Sequence, residues 1–224
     1  MNVIVFGATG MIGSGVLVEC IKEPQIQSVL VVGRKPCGVV HPKLRELIRS
    51  DFFDYSDASD DLKGYDACFF CLGGSAFGMT EAAYYRLTYE LTISAASALA
   101  DLSPKLTFCY VSGEGTDSTE RGRFMWARVK GKAEYCLLRM PFKAYMFRPG
   151  LIQPLAEVRS KTKLYRAFYA VLGPLFPLLK RLFPNHVTTT ENIGRAMIRV
   201  AAKGYSKRVL ENTDINVLGK HEWI

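Results

Sequence analysis

The sequence predicts an α/β domain built on a parallel sheet with helices on both faces. Short apolar runs rich in β-branched and aromatic residues alternate with longer amphipathic segments, and no linker, repeat or low-complexity tract interrupts them. With 224 residues, of which 49% are hydrophobic, the chain is long enough for one sizeable core. We therefore expect residues 1–224 to form a single doubly wound domain, with residues 151–190 as a small C-terminal helical region.

The individual elements follow from hydrophobic periodicity and helix caps. The predicted strands are residues 2–6, 29–32, a segment within 47–53 that ends at Asp51-Phe52-Phe53-Asp54, 67–72, 106–112, 144–147 and 207–210. Helices are expected at 11–21, at 80–102 with Thr80 as N-cap, and at 123–140. A capping box at 188–191 opens another helix. This order of strands and helices is typical of a doubly wound sheet.

The first strand ends in a glycine-rich turn, GATGMIG, with glycines at 7, 10 and 13. Glycine lets the chain turn without a Cβ, brings the backbone close to a pyrophosphate and allows the helix to pack on the strand. The free N–H groups at the start of the helix then bind the anion. Because the turn joins a strand to a helix, it indicates a Rossmann-type dinucleotide site.

Two cations, Arg34 and Lys35, follow the second strand at the position where an NAD-binding unit usually has an acidic residue. A carboxylate would repel a 2′-phosphate, whereas a guanidinium binds it through two parallel charge-assisted hydrogen bonds. The sequence therefore predicts NADP, including NADPH, in preference to NAD. The alternative is that both cations belong to a solvated turn.

The charge and the cysteines limit the classes of partner. Residues 1–120 carry 9 Lys and Arg against 15 Asp and Glu, whereas residues 121–224 carry 20 against 6. No nucleic-acid motif accompanies the basic half, so we expect no nucleic-acid partner.

Histidines, cysteines and carboxylates lack metal-ligand spacing, which predicts no metal. Six scattered cysteines suit reduced thiols, and without a signal peptide before the first strand we expect a cytoplasmic protein.

Motifs at the ends of successive predicted strands together resemble the atypical short-chain dehydrogenases/reductases. They are GATGMIG, Arg34, Asp51-Phe52, Cys71-Leu72-Gly73-Gly74, Tyr110-Val111-Ser112-Gly113, Lys130 and Arg148-Pro149-Gly150. The resemblance covers nearly the whole chain and is strongest to NAD-dependent epimerase/dehydratase-like proteins and the Tat-interacting oxidoreductase group. It implies a Rossmann fold, a nicotinamide cofactor and hydride chemistry on a small carbonyl or alcohol substrate.

The resemblance also assigns roles to the matched residues. Residues 9–12 would hold the pyrophosphate, Asp51 would accept from the adenine amino group, and Leu72 and Gly73 would line the nicotinamide ribose. The implied cofactor-binding residues are Gly7, Thr9, Gly10, Met11, Ile12, Gly13, Arg34, Lys35, Asp51, Phe52, Cys71, Leu72, Gly73, Lys130, Pro149 and Gly150. Ser112 matches the catalytic serine, and Lys130 matches the lysine that holds the nicotinamide ribose hydroxyls.

One catalytic residue departs from that pattern, because Trp126 stands where the family has its tyrosine, one turn before Lys130. An indole N–H donates a hydrogen bond but has no accessible proton-transfer equilibrium. Three interpretations follow: an enzyme that takes its proton from Tyr84, Tyr89, Glu114 or water; an inactive NADP(H)-binding regulatory or redox-sensing protein; or a shifted site in which Tyr135 or another group acts.

The apolar segment within residues 161–184 has two interpretations. Its uncharged run, residues 167–179, is too short to span a bilayer and contains prolines. The resemblance favours helices that form a lid over the nicotinamide end of the cleft, which predicts an apolar substrate. The alternative, supported by the cations at its borders, is weak contact of 164–184 with a membrane surface.

Overall fold

A computed structural model of the protein describes residues 1–154 and 176–220. Seven strands form one fully parallel sheet in the order β3-β2-β1-β4-β5-β6-β9. They are β1 Asn2–Phe6, β2 Ser28–Gly33, β3 Leu44–Ile48, β4 Ala67–Phe70, β5 Thr107–Val111, β6 Lys143–Arg148 and β9 Val209–Glu211. A separate parallel pair consists of β7 Leu151–Gln153 and β8 Val187–Thr189. The strand order reverses between β1 and β4, which is where such sheets bind ligands.

Helices cover both faces of the sheet. They are α1 Met11–Lys22, α2 Ser59–Leu62, α3 Glu81–Tyr85, α4 Leu91–Leu102, α5 Met125–Leu137, α6 Phe176–Leu182, α7 Thr190–Lys203 and α8 Asn212–Lys220. A π-helical turn, Arg86–Glu90, joins α3 to α4, so that residues 81–102 form one continuous helix as predicted. Thr80 caps it, because its side-chain oxygen accepts from Ala83 N at 3.3 Å.

Alternate residues of the central strands enter two different cores. Val3 and Val5 of β1 pack with α1, α7 and α8, whereas Ile4 and Phe6 pack with α4 and α5 on the opposite face. A strand covered on both faces has no polar side, which explains its continuous apolar sequence. The predicted doubly wound α/β fold is therefore confirmed.

Two predicted boundaries are wrong. The third strand is Leu44–Ile48 instead of a segment within 47–53, since its backbone pairs with residues 29–33 and the chain then turns away at Arg49. The N-cap of α7 is Thr189 instead of Thr188: its side-chain oxygen accepts from Asn192 N at 3.0 Å. Glu191 consequently pairs with Arg195.

The C-terminal region is described in part. Most of the predicted lid, residues 155–175, lies outside the described residues, and β7 and β8 were not predicted. Among the helices that the structure describes, none combines the length and the apolar character needed to span a bilayer.

Candidate nucleotide-binding and active site

The glycine turn after β1 is packed too tightly for side chains at two of its positions. Gly7 has φ +79°, and a Cβ there would stand 2.8 Å from the backbone of Cys71 and Leu72. A Cβ on Gly13 would stand 2.2 Å from the Gly7 carbonyl oxygen. Gly10 is the N-cap of α1 and offers no side-chain cap, so the first N–H groups of α1 are left for another acceptor.

A cleft of about 640 Å³ opens over the carboxyl ends of β1, β2 and β4, at the point where the strand order reverses. It brings together the glycine turn, the two cations after β2 and the segment after β4. Its lining includes Gly7, Ala8, Thr9, Gly33, Arg34, Lys35, Ser50, Phe52, Phe53, Leu72, Gly73, Gly74, Leu87 and Leu91. A concave site in this position suits a dinucleotide.

Arg34 and Lys35 are exposed at the rim of this cleft. Within residues 1–154 and 176–220, neither has an ion pair with an acidic side chain. Their positive charge is therefore available to an anion in the cleft.

The segment after β3 contributes different residues from those predicted. Phe52 is buried and lines the cleft, together with Ser50 and Phe53. Asp51 is exposed and does not line it; its Oδ1 accepts from Phe53 N at 2.7 Å. Sequence reasoning missed Ser50 and Phe53 because the predicted strand ended several residues too late.

Ser112 and Lys130 come together at the carboxyl end of β5. Lys130 Nζ donates to the carbonyl oxygen of Ser112. The buried Ser112 hydroxyl donates to the Phe147 carbonyl oxygen at 3.1 Å. Burial lowers the pKa of Lys130 to about 8, although the carboxylate of Glu134 one turn later acts in the opposite direction.

Trp126 lines a second cleft of about 620 Å³. The other lining residues are Ser75, Ala76, Phe77, Tyr84, Arg123, Phe124 and Met125. The side chains of Phe77 and Phe124 are 89% and 69% exposed. Because residues 72–74 line the first cleft and residues 75–77 line the second, the two clefts share one wall.

The tyrosines considered as proton donors occupy different environments. Tyr84 lines the second cleft, and burial raises its pKa. Tyr89 bonds to Cys136 Sγ at 3.2 Å, and this contact raises the pKa of its phenol. Tyr135 is exposed beside the guanidinium of Arg139. Neither Tyr89 nor Tyr135 lines either cleft.

Two of the six cysteines lie in β4 and just after it, and the second, Cys71, is partly exposed. Cys68 is fully buried, and burial raises the pKa of Cys71 to about 12. Both cysteines are free. In the parts of the chain that the structure describes, no group of three or more His, Cys, Asp or Glu side chains could hold a metal ion.

Comparison with solved structures identifies proteins that share this fold. The chain superposes on WbmF of Bordetella bronchiseptica in complex with NAD+ and UDP, with TM-score 0.69 and 16% identity, covering 99% of this chain and 78% of that one. A short-chain dehydrogenase/reductase family oxidoreductase from Burkholderia thailandensis gives TM-score 0.68 at 14% identity, with coverage of 96% and 92%. This chain has the short-chain dehydrogenase/reductase fold. DesIV of Streptomyces venezuelae, a dTDP-glucose 4,6-dehydratase with NAD bound, gives TM-score 0.69 at 15% identity over 97% and 80%.

Sequence relatives come from fungi. The protein fmp52, mitochondrial, of Emericella nidulans is 26% identical over 220 residues, covering 93% of this chain and 90% of the relative. The protein fmp52-2, mitochondrial, of Aspergillus terreus is 28% identical, covering 98% and 97%. No protein-family model matches the chain. The expectation of a cytoplasmic location is wrong, because relatives of nearly full length are named as mitochondrial proteins.

Proposed function

We propose that the protein is an NADP-dependent oxidoreductase acting on a small apolar carbonyl or alcohol substrate. The cleft at the strand reversal fits a dinucleotide, because Gly7 and Gly13 allow the tight turn that forms one wall of it and the start of α1 lacks a side-chain cap. When bound, the dinucleotide would supply or accept the hydride. Residues 9–12 would hold its pyrophosphate, and Pro149 and Gly150 its nicotinamide end.

The preference for NADP rests on one observation: Arg34 and Lys35 stand exposed at the rim of the cleft. The substitution Arg34→Ala is expected to weaken NADPH binding tenfold to a hundredfold, since a hydrogen bond to a charged group contributes about 1.5–3 kcal/mol. NADH binding should change little because NADH has no 2′-phosphate. Titration of nucleotide fluorescence measures both affinities.

A matched control is Arg45→Ala, which removes an exposed arginine of β3 that pairs with Asp61. It should leave both affinities unchanged. Equal affinities of the unaltered protein for NADPH and NADH would contradict the NADP preference. They would not contradict the proposal that the protein is a dinucleotide-dependent oxidoreductase.

The second cleft supports the proposed substrate class. Four of its lining residues are aromatic, and two of these, Phe77 and Phe124, are exposed. Exposed apolar side chains grouped in one groove are typical of a ligand-binding site. Arg123, on the same wall, would accommodate a polar or anionic end of the substrate. An apolar carbonyl compound would therefore bind beside Trp126 and next to the proposed nicotinamide position.

The substitution Phe124→Ala is expected to raise KM for a medium-chain aliphatic aldehyde about tenfold, since burying a large apolar side chain contributes about 1.5–3 kcal/mol. KM for a short polar aldehyde and the Kd for NADPH should not change. Steady-state kinetics with both aldehydes measure the difference. The control is Val217→Ala, an exposed apolar residue of α8; an equal effect of the two substitutions would contradict the assignment of this cleft.

Lys130 and Ser112 would act at the nicotinamide end of the site. Lys130 Nζ already contacts the Ser112 carbonyl oxygen, and the lowered pKa of its ammonium makes it easier to deprotonate than a surface lysine. We infer that it holds the ribose hydroxyls, and that Ser112 fixes the end of β5 through its bond to Phe147.

A second candidate function is an NADP(H)-binding regulatory protein without turnover. Trp126 favours it, because an indole cannot pass a proton to a carbonyl oxygen, and the Ser112 hydroxyl is engaged by the backbone. Such a protein would bind NADP and NADPH with different hydrogen-exchange protection and reduce no aldehyde, ketone or nucleotide sugar in a panel.

The names of the fungal relatives support a mitochondrial location for this chain. Fractionation of cells that express the tagged protein tests it, with co-purification with mitochondria as the expected outcome.

A further inference from the structure

A histidine and a glutamate from distant parts of the chain form a pair at the carboxyl edge of the sheet. His186 Nδ1 lies 2.5 Å from Glu114 Oε1. Glu114 comes two residues after Ser112, and His186 immediately precedes β8. Their side chains are 62% and 40% exposed, so the pair is accessible to a ligand and to solvent.

Backbone contacts fix this pair beside Gly150, a residue proposed to bind the nicotinamide end of the cofactor. A Cβ on Gly150 would stand 2.3 Å from the His186 carbonyl oxygen and 2.5 Å from Glu114 Oε2. Leu151 N donates to the His186 carbonyl oxygen at 2.7 Å, and Glu114 N donates to the Pro149 carbonyl oxygen at 2.9 Å. Only glycine at position 150 therefore leaves room for the Glu114 carboxylate and the His186 backbone.

The same loop also contacts Trp126. Gly115 follows Glu114, and a Cβ on Gly115 would stand 3.5 Å from the Trp126 ring. The loop after β5 thus has His186 against Glu114 and Trp126 beside the following residue, Gly115. The indole cannot transfer a proton, whereas an imidazole exchanges one readily near neutral pH.

We propose that His186 is the proton donor for carbonyl reduction in this protein, with Glu114 as the positioning residue; the proposal rests on the proposed oxidoreductase function. Contact between Glu114 and Nδ1 orients the ring, so that Nε2–H is the group that would donate to the substrate oxygen. In residues 1–154 and 176–220, Glu114 is the one ionisable side chain that has an ion pair or hydrogen bond with His186.

The proposed step balances atoms and charge. When bound, NADPH would supply a hydride to the carbonyl carbon and be oxidised to NADP+, and the electron pair of the C=O π bond would move onto the oxygen. The Nε2–H bond of the His186 imidazolium breaks, and its proton forms the O–H bond of the alcohol. Neutral His186 regains a proton from water through its exposed side, and alcohol oxidation follows the reverse course.

The experiment compares His186→Gln and Glu114→Gln with His41→Gln, a control at a histidine that contacts Lys43 before β3. Single-turnover reduction of an apolar aldehyde by NADPH is measured from pH 5.5 to 9, alongside the Kd for NADPH. We expect His186→Gln to slow the hydride step ~10²–10⁴-fold, the usual range for losing a general acid, with Kd within twofold. Glu114→Gln should slow it less and shift its pH midpoint, and His41→Gln should change neither.

A second readout observes the His186 imidazole directly. NMR titration of the imidazole nitrogens of the NADP-bound protein gives the pH midpoint of His186, which should coincide with the midpoint of the reaction and move with it in Glu114→Gln. A reaction rate within threefold of normal in folded His186→Gln, or two midpoints that differ, would overturn the proposal for His186 while the oxidoreductase function stands. Absence of turnover in the unaltered protein would overturn the oxidoreductase function and this proposal together.

Discussion

The substitution Arg148→Met is expected to lower the free energy of unfolding by about 3–5 kcal/mol, the usual cost of removing one partner of a buried ion pair. The side chains of Glu134 and Arg148 are 2% and 13% exposed. Arg148 Nε donates to Glu134 Oε1 at 3.0 Å, and Nη2 contacts Oε2, so the pair is bidentate. Without the guanidinium, the Glu134 carboxylate would stay buried without the partner that binds both of its oxygens.

Denaturant unfolding followed by circular dichroism measures the loss. The control is Arg45→Met, which breaks the exposed pair between Arg45 and Asp61 and should cost about 0–1 kcal/mol. The double substitution Glu134→Gln/Arg148→Met should recover much of the stability, because it also removes the unpaired charge. A loss below 1 kcal/mol for Arg148→Met alone would contradict this account of the pair.

Central strands could be predicted from the sequence because both of their faces are buried. Val3, Ile4, Val5 and Phe6 are all apolar for that reason, and the pattern is local. The edge strand β3 has one neighbour in the sheet and carries Arg45 and Glu46, so it lacks a continuous apolar run. Phe52 and Phe53, which line the cleft, are more hydrophobic than β3 itself, and for that reason the strand was predicted several residues too late in the sequence.

Some residues of the candidate site could likewise be predicted from local sequence, whereas others could not. Gly7 and Gly13 could be picked out because their spacing is a local pattern, and the close contact of Gly13 with the Gly7 carbonyl lies within the same turn. Glu114 could be picked out because it follows a strand, whereas His186 could not, since 72 residues separate the two. The place of His186 depends on β8 pairing with β7 and on Gly150 leaving room, and neither feature has a sequence pattern of its own.

The substitution Trp126→Tyr is expected to raise the rate of the hydride step in the His186→Gln variant by ~10²–10⁴-fold, because it supplies a new general acid. Residue 126 lies four positions before Lys130 on α5, about one helical turn, so a phenol there would stand on the same face as the ammonium. In the background that retains His186 the gain should be much smaller, since a proton donor is already present.

The gain should also depend on pH with a defined sign. The pKa of Lys130 is lowered to about 8, so the ammonium is charged below that pH and neutral above it. A positive charge beside a phenol favours the phenolate and brings its pKa toward the working pH. We therefore expect a larger increase at pH 7 than at pH 9, measured by single-turnover kinetics with NADPH. The matched control Trp126→Phe keeps an aromatic ring without a hydroxyl and should give no increase. An equal increase in both variants would mean that the bulk of the indole, and not its inability to act as a general acid, limits the reaction.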